Sequence, residues 1–397
     1  MKISYRQMSI MIMMSFLSVK LMALPGLLWT DCKNMGWFLT LVVMLIDLAF
    51  ALMIVQTMQA SQSKNFYEFC SMLFGKFVAK LILIFLICHY ALVMAIIGKG
   101  LEFFVIENLY EKFSWLLFGV PLIAVVGFMV YKGARNIARV FEYFWAPILI
   151  ACFYVVAKAF AGVELTTFLP MFEDGFMPIL KAMFEHIGWF GSSTFLLMMY
   201  GQVDFKNSKK RTLVGFAFLA ILLVELLYFV FYGMFDVTSP THQFCVSDIA
   251  QFASSHSSIG ELSWLVVSLW IVAQTAQIAM YGYCFVRAIM LLFNIKSCTI
   301  GVLIMYLYFI GWGIWGTKGI EPEKIFYQPV TSVITIVSAY FIPLLVAIAW
   351  GIKSRHKPNL KQPEIADAII KRNKEIKLST AQKSTKANLS EAKHEKT

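Results

Sequence analysis

Long apolar runs separated by short polar segments dominate the sequence. A helix needs about 20 apolar residues to cross the hydrocarbon core of a bilayer. By that criterion we predict ten spans, at about 8–30, 36–58, 77–98, 115–131, 140–161, 183–203, 212–235, 262–293, 298–316 and 328–351. The runs are continuously apolar, so they do not fit the alternating strands of a membrane β-barrel. The pattern therefore predicts an all-α polytopic membrane protein.

Two of the predicted spans contain residues that interrupt a helix. Leu24-Pro25-Gly26 lies in the first span, and the sequence GWFGSST, from Gly188 to Thr194, lies in the sixth. Proline removes a backbone donor and glycine relaxes the backbone, so we expect local unwinding at both places. Interrupted helices at corresponding positions of two halves indicate a transporter site, whereas packing kinks are the alternative. With five spans each, two similar halves would have opposite orientations.

Composition excludes several classes of protein. Hydrophobic residues make up 59% of the 397 residues, charged residues 14%, and mean hydropathy is +0.72. Soluble domains carry about 25% charged residues, and disordered chains are far less apolar. The seven cysteines are scattered without CxxC spacing, so they indicate neither a metal site nor a disulfide framework. Since no HExxH, GxSxG or Walker motif is present, we predict no enzyme and no cofactor.

The net charge is +11, and the distribution of basic residues among the loops indicates the orientation of the chain in the membrane. Loops on the side of the N-terminus carry fourteen Lys and Arg, and the opposite loops carry seven. The positive-inside rule then places both termini in the cytoplasm. We predict a transmembrane domain over 1–352 and a basic, largely disordered cytoplasmic tail over 353–397, which is either solvated or attracted to anionic lipid. Because the basic residues lie in loops and the tail, nucleic acid is not an expected partner.

Charged side chains within the spans are candidates for function, because charge is costly in a bilayer. Lys20 lies just before the first interruption. It either neutralises a substrate carboxylate, replaces a coupling cation, or extends to the membrane interface. Asp47, in the second span, is a candidate ion partner for Lys20. His89, in the third span, is either a hydrogen-bonded core residue or a proton relay.

Two further polar groups lie on helical faces of later spans. Glu225 shares a face with Tyr228 and Tyr232, so it is either a titrating carboxyl or a structural group bonded to tyrosine. Gln274 and Gln277 share a face of the eighth span. That face either lines a cavity or bonds neighbouring helices.

Several short motifs resemble those of one known family. They are, in chain order, KISYRQ at 2–7, LP at 24–25, GARNIARVFE at 133–142 followed by Pro147, and PMFEDGFMP at 170–178. Together they resemble the B-subunit permeases of endospore germinant receptors, within the amino acid–polyamine–organocation superfamily. The similarity covers about residues 1–355, and the order and spacing of the motifs are more specific than any single motif. The family-motif residues singled out are Gly133, Arg139 and Glu142.

The resemblance implies a fold and a function. The fold is an inverted five-plus-five repeat of ten helices, with broken first and sixth helices around a central site. The function is recognition of a small germinant, usually an amino acid, followed by signalling of spore germination. The implied partners are an A-type membrane subunit and a C-type lipoprotein subunit, in the spore inner membrane or the plasma membrane. An autonomous proton-coupled amino-acid transporter is the alternative.

By analogy with the family, unwound backbone at the two interruptions would hold the amino and carboxylate groups of the ligand. The expected substrate-binding residues are Lys20, Ala23, Leu24, Pro25, Gly26, Gly188, Trp189, Gly191, Ser192, Ser193, Gln274 and Gln277. The possible proton or ion relay residues are Asp47, His89 and Glu225.

The chain departs from the family pattern at both interruptions. Many relatives have small residues where this chain has Ser18 and Lys20, and many have Glu where Ser192 follows Gly191. The site has thus gained a cation in one helix and lost an anion in the other. We therefore expect a carboxylate-bearing ligand over a cationic one.

Overall fold

The computed structural model describes residues 2–61, 63–108, 115–206, 208–255, 263–312 and 329–356. The helices of the first half are α1 (Tyr5–Ser18), α2 (Leu24–Cys32), α3 (Gly36–Ser61), α4 (Phe66–Phe74), α5 (Lys76–Asn108), α6 (Trp115–Lys132) and α7 (Ala134–Ala159). Those of the second half are α8 (Met177–Glu185), α9 (Phe195–Met198), α10 (Lys210–Phe235), α11 (Cys245–Ser255), α12 (Ser263–Phe293), α13 (Cys298–Gly311), α14 (Pro329–Thr335) and α15 (Ile342–His356). Two short strands, β1 (Ile3–Ser4) and β2 (Val203–Asp204), accompany the helices.

The helices confirm the predicted all-α polytopic class. Within the described ranges, six helical stretches are long and apolar enough to cross a membrane, and shorter apolar helices cover Leu117–Lys132, Ile187–Met198 and Cys298–Gly311. Helical segments occupy all ten predicted spans, apart from residues 262, 313–316 and 328, which lie outside the described residues. The predicted tail from residue 357 onward also lies outside them.

Two short helices lie between the predicted spans and were not expected from the apolar pattern. α4 has nine residues and α11 has eleven, which is too short to cross a bilayer. The side chain of Asn65 accepts the backbone amide of Glu68 at 2.8 Å, which caps the start of α4.

The first and sixth spans run antiparallel. β1 precedes α1 and pairs in parallel with β2, which follows α9; Ile3 aligns with Val203. The start of the first span therefore lies beside the end of the sixth span. The opposite directions agree with the inverted arrangement implied by the family resemblance.

The first span lies at the centre of the molecule. Twelve of the fourteen residues of α1 are buried, and α1 packs against α10, α7 and α12. A helix that is buried on all sides is apolar all round, as α1 is. Side chains such as Phe77, Ile150 and Leu307 are 82%, 70% and 69% exposed. They form the apolar outer surface that a bilayer would cover.

Candidate functional site

The first span is interrupted between Ser18 and Leu24, slightly before the predicted Leu24-Pro25-Gly26. α1 ends at Ser18 and a 3-10 turn covers Val19–Leu21. α2 then begins at Leu24 with Pro25 in its first turn, because proline at that position costs no intrahelical hydrogen bond. Ala23 is the residue immediately before α2.

Two tyrosines of α10 bind carbonyl groups at this interruption. The Tyr228 hydroxyl donates to the Lys20 carbonyl at 2.7 Å, and the Tyr232 hydroxyl donates to the Pro25 carbonyl at 3.0 Å. A carbonyl buried in lipid or protein needs such a partner. Tyr228 and Tyr232, which share a helical face with Glu225, therefore hold the interrupted backbone in place.

The sixth span is interrupted across the predicted segment. α8 ends at Glu185, a 3-10 turn covers Ile187–Trp189, and a second 3-10 turn covers Ser192–Thr194 before α9. Phe190 is extended and Gly191 is left-handed, with φ of 77°. A Cβ on Gly191 would lie 2.5 Å from the Cβ of Ala339, so the position requires glycine in both conformation and space.

Asp47 joins the sixth span to the second. Its carboxylate oxygens each accept the Gly191 amide at 3.1 Å, and one also accepts the Tyr340 hydroxyl at 2.7 Å. Asp47 is fully buried. The carboxylate thus satisfies the backbone amide that the interruption leaves without a helical partner.

Lys20 extends from the first interruption to the second. Its ammonium donates to the Ser192 hydroxyl at 2.8 Å and lies 3.9 Å from the Asp47 carboxylate. The rings of Phe16 and Phe190 lie 5.5 and 5.2 Å from the ammonium. Lys20 is fully buried, so it does not extend to the membrane interface. Its position agrees with the predicted pairing with Asp47.

One face of α12 contacts both interruptions. The Gln274 amide donates to the Ser18 carbonyl at 3.2 Å and accepts from the Ser18 hydroxyl at 2.8 Å. Two turns further on, the Tyr281 hydroxyl donates to the Ser192 carbonyl at 3.3 Å. Gln277 is buried between them. Gln274 therefore bonds the first broken helix, which was one of the two predicted roles, whereas the Gln277 amide bonds neither interruption in the described part of the chain.

Two buried hydroxyls near the centre have no hydrogen-bond partner among the described residues. They are Ser193 Oγ and Thr335 Oγ1, and both residues are 1% exposed. The Thr335 side chain lies 3.2 Å from the position of a Cβ on Gly191. A buried polar atom without a partner is costly unless a ligand or water completes it. These hydroxyls are candidate ligand contacts.

The other candidates occupy different surroundings. His89 is buried and its Nε2 bonds the Thr194 hydroxyl at 3.0 Å, which places it beside the sixth interruption. Both carboxylate oxygens of Glu225 are buried, and neither bonds a described residue, so the predicted tyrosine bond is absent there.

A Cβ on Gly26 would lie 2.8 Å from the Ser239 carbonyl, so Gly26 packs against the segment after α10. Trp189 and Gly188 are buried in the 3-10 turn that follows α8.

The family-motif residues lie away from the centre. Gly133, with φ of 87°, precedes α7. Glu142 accepts the side-chain amide of Gln7 at 2.8 Å, which ties α7 to the first turn of α1. Arg139 is exposed. The motif therefore organises the end of the molecule that holds β1 and β2.

Tyr340 was not among the predicted site residues, although it contacts Asp47 directly. It lies in a π-helical segment over Ile336–Phe341, and such segments are common at functional sites. A tyrosine within the apolar run of the last span was the available signal. Its partner is 293 positions away in sequence, so pattern alone does not reveal the contact.

Comparison with known proteins places this geometry in a family context. The family model described as "Spore germination protein" matches residues 2–315. The chain is 23% identical over 222 residues to Spore germination protein YndE and 22% identical over 221 residues to Spore germination protein B2, both of Bacillus subtilis (strain 168). Each match covers 54% of this chain. The chain spans 60% and 59% of the length of these two curated relatives.

Proposed function

Because the chain belongs to the spore germination protein family, we propose that it binds a small amino acid germinant between its two broken helices and signals to partner subunits. The observation that carries this proposal is the buried contact among Lys20, Asp47 and Ser192, which joins both interruptions. A buried ionisable pair within membrane spans marks a functional site more often than a structural one.

The charges at the centre are matched to a zwitterion. Lys20 presents an ammonium and Asp47 a carboxylate, with 3.9 Å between their nearest charged atoms. A free amino acid carries the same two charges on one small molecule. Its carboxylate would bind Lys20, its ammonium would bind Asp47, and the hydroxyls of Ser193 and Thr335 would complete the contacts. The net charge of the buried centre would stay at zero, which avoids the cost of burying an unpaired charge.

Asp47 also changes the expected ligand class. The presence of Lys20 and of Ser192 in place of the glutamate of many relatives, taken alone, favours a carboxylate-bearing ligand over a cationic one. The pairing with Lys20 balances the added cation, and it supports a neutral zwitterion rather than a purely anionic ligand.

Signalling would follow from the number of elements that meet at the pair. Lys20 lies in the first span, Asp47 in α3, Ser192 in the sixth span, and Tyr340 in the last span. A ligand that replaced the direct Lys20–Asp47 contact would change the relative positions of these elements. The proposed recipients of that change are the A-type and C-type subunits, and the proposed location is the spore inner membrane or plasma membrane with both termini cytoplasmic.

The test is binding of radiolabelled amino acids to the purified protein in nanodiscs. Lys20→Met and Asp47→Asn should each weaken binding of the preferred amino acid at least tenfold. Lys158→Met, at the end of α7, is the matched control and should leave binding unchanged. Equal affinity in wild type and both central variants would overturn the proposed site.

A second measurement separates sensing from transport. The protein is reconstituted in liposomes with a proton gradient, and uptake of the same amino acid is followed. Binding without uptake supports a sensor that signals through partners. Gradient-dependent uptake would instead favour the autonomous transporter.

A further inference from the structure

A cavity of about 300 Å³ lies at the end of the molecule remote from β1 and β2. We refer to it as the distal cavity. The residues that matter for its chemistry are Trp29, Lys33, Phe172, Glu173, Asp174 and Asp236. We propose that the distal cavity binds a small organic molecule that carries an ammonium group, at a site separate from the Lys20–Asp47 centre.

Both broken spans contribute to the distal cavity. Trp29 lies near the end of α2, Lys33 follows its last residue, and Pro178 comes from the first turn of α8. Asp236 follows the last residue of α10. The cavity therefore lies where the outer parts of the two interrupted spans meet a third helix.

The charge of the lining favours a cation. Lys33 forms an ion pair with Asp174, with 2.8 Å between the ammonium nitrogen and the carboxylate oxygen. Glu173 and Asp236 form no ion pair with any residue that the structure describes. The four charged side chains thus sum to −2, and a bound cation would reduce this excess of negative charge.

Aromatic rings make the lining suitable for an organic ammonium rather than a bare ion. Trp29 and Phe172 both line the cavity. Among aromatic side chains, Trp is the most favourable partner for a cation. A cavity needs only about 10–15 Å³ to hold one water molecule, so 300 Å³ has room for a small organic molecule.

The backbone around the cavity is held in uncommon conformations. Lys33, Phe172 and Asp236 have φ of 49°, 57° and 41°. They are three of the four non-glycine residues with positive φ in the described part of the chain, and all three line this cavity. The surrounding structure must hold these residues in place, so the shape of the lining is set by the fold.

The experiment uses choline and its uncharged isostere 3,3-dimethylbutan-1-ol as probes. Binding to the full chain is measured by saturation-transfer NMR titration in phosphatidylglycerol nanodiscs, which contain no choline headgroup. Choline should bind at least fivefold more tightly than the isostere. Glu173→Gln/Asp236→Asn should remove that difference, and Lys33→Gln should strengthen choline binding because it frees Asp174.

Two controls make the result specific. Glu164→Gln changes an exposed carboxylate that does not line the cavity, and it should leave choline binding unchanged. Lys20→Met/Asp47→Asn should also leave it unchanged, so failure of the central site and failure of the distal site are distinguishable. Equal binding of the two probes, or choline binding that survives in Glu173→Gln/Asp236→Asn, would overturn the proposal.

Discussion

Lys20 and Asp47 form an ion pair with both side chains fully excluded from solvent, and the nearest charged atoms lie 3.9 Å apart. Each partner is also bonded to the sixth span. Lys20 donates to the Ser192 hydroxyl, and Asp47 accepts the Gly191 amide. The pair therefore fixes the two interruptions to each other through contacts that lie one residue apart.

Removal of one member of this pair should destabilise the protein more than removal of both. Lys20→Met leaves the Asp47 carboxylate buried without its cation, and breaking a buried pair in this way costs about 3–5 kcal/mol. The double variant Lys20→Met/Asp47→Leu leaves no unpaired charge, so its loss should be smaller. Thermal unfolding of the detergent-solubilised protein, followed by fluorescence-detected chromatography, measures both. Strictly additive losses would contradict a direct pair.

Gly191→Ala should lower stability and abolish ligand binding. Left-handed backbone costs about 1–2 kcal/mol for a residue with a Cβ, and the new methyl would lie 2.5 Å from the Cβ of Ala339. Overpacking adds roughly 1–3 kcal/mol. The matched control is Gly215→Ala within α10, where a Cβ meets nothing within 4 Å. The control should be neutral or slightly stabilising, by up to about 1 kcal/mol.

Tyr228→Phe should weaken ligand binding although Tyr228 carries no charge. Its hydroxyl donates to the Lys20 carbonyl at 2.7 Å, and its loss leaves that carbonyl without this partner at a cost of about 1–3 kcal/mol. The first interruption should then be less well ordered, and affinity for the preferred amino acid should fall several-fold. Tyr143→Phe is the control, because Tyr143 is 76% exposed. Unchanged affinity in Tyr228→Phe would show that the carbonyl contact is dispensable.

The packing of α11 should weaken as pH rises from about 4 to 6. Burial raises the pKa of Asp248 to about 6 from an ordinary value near 3.8. The folded state then keeps the proton at pH values where the unfolded state has lost it, so stability is higher below this window. A pKa difference of about 2 corresponds to roughly 3 kcal/mol. Hydrogen exchange of amides 245–252, corrected for intrinsic rates, should be slower at pH 4 than at pH 7.

The neighbours of Asp248 require a specific control. His242 Nδ1 lies 3.4 Å from the carboxylate, and burial lowers the pKa of His242, which acts with the opposite sign. Glu107 also lies near this pair, and the negative charge of its carboxylate favours protonated His242. The comparison is therefore made in a His242→Gln background, with and without Asp248→Asn. A pH dependence that persists with Asp248→Asn would assign it to another group.

The motifs that resemble germinant-receptor permeases are confirmed as a family assignment by the match over residues 2–315. The unwinding at both interruptions also agrees with the prediction, because proline and glycine act on their own backbone. Pro25 lies within the first turn of α2 rather than in the interruption itself. Where the helix breaks relative to the proline depends on which backbone groups find hydrogen-bond partners elsewhere in the fold. Here the Tyr232 hydroxyl donates to the Pro25 carbonyl.

Sequence alone determined that this is an all-α membrane protein with interruptions in its first and sixth spans. Hydrophobicity and backbone freedom are properties of adjacent residues, so short windows of sequence report them. The folded structure was needed to show that Tyr340 binds Asp47, that Gly26 packs against Ser239, and that Glu225 has no bond to its neighbouring tyrosines. The first two contacts join residues far apart in the chain, and the orientation of the Glu225 side chain depends on how its helix packs against the others.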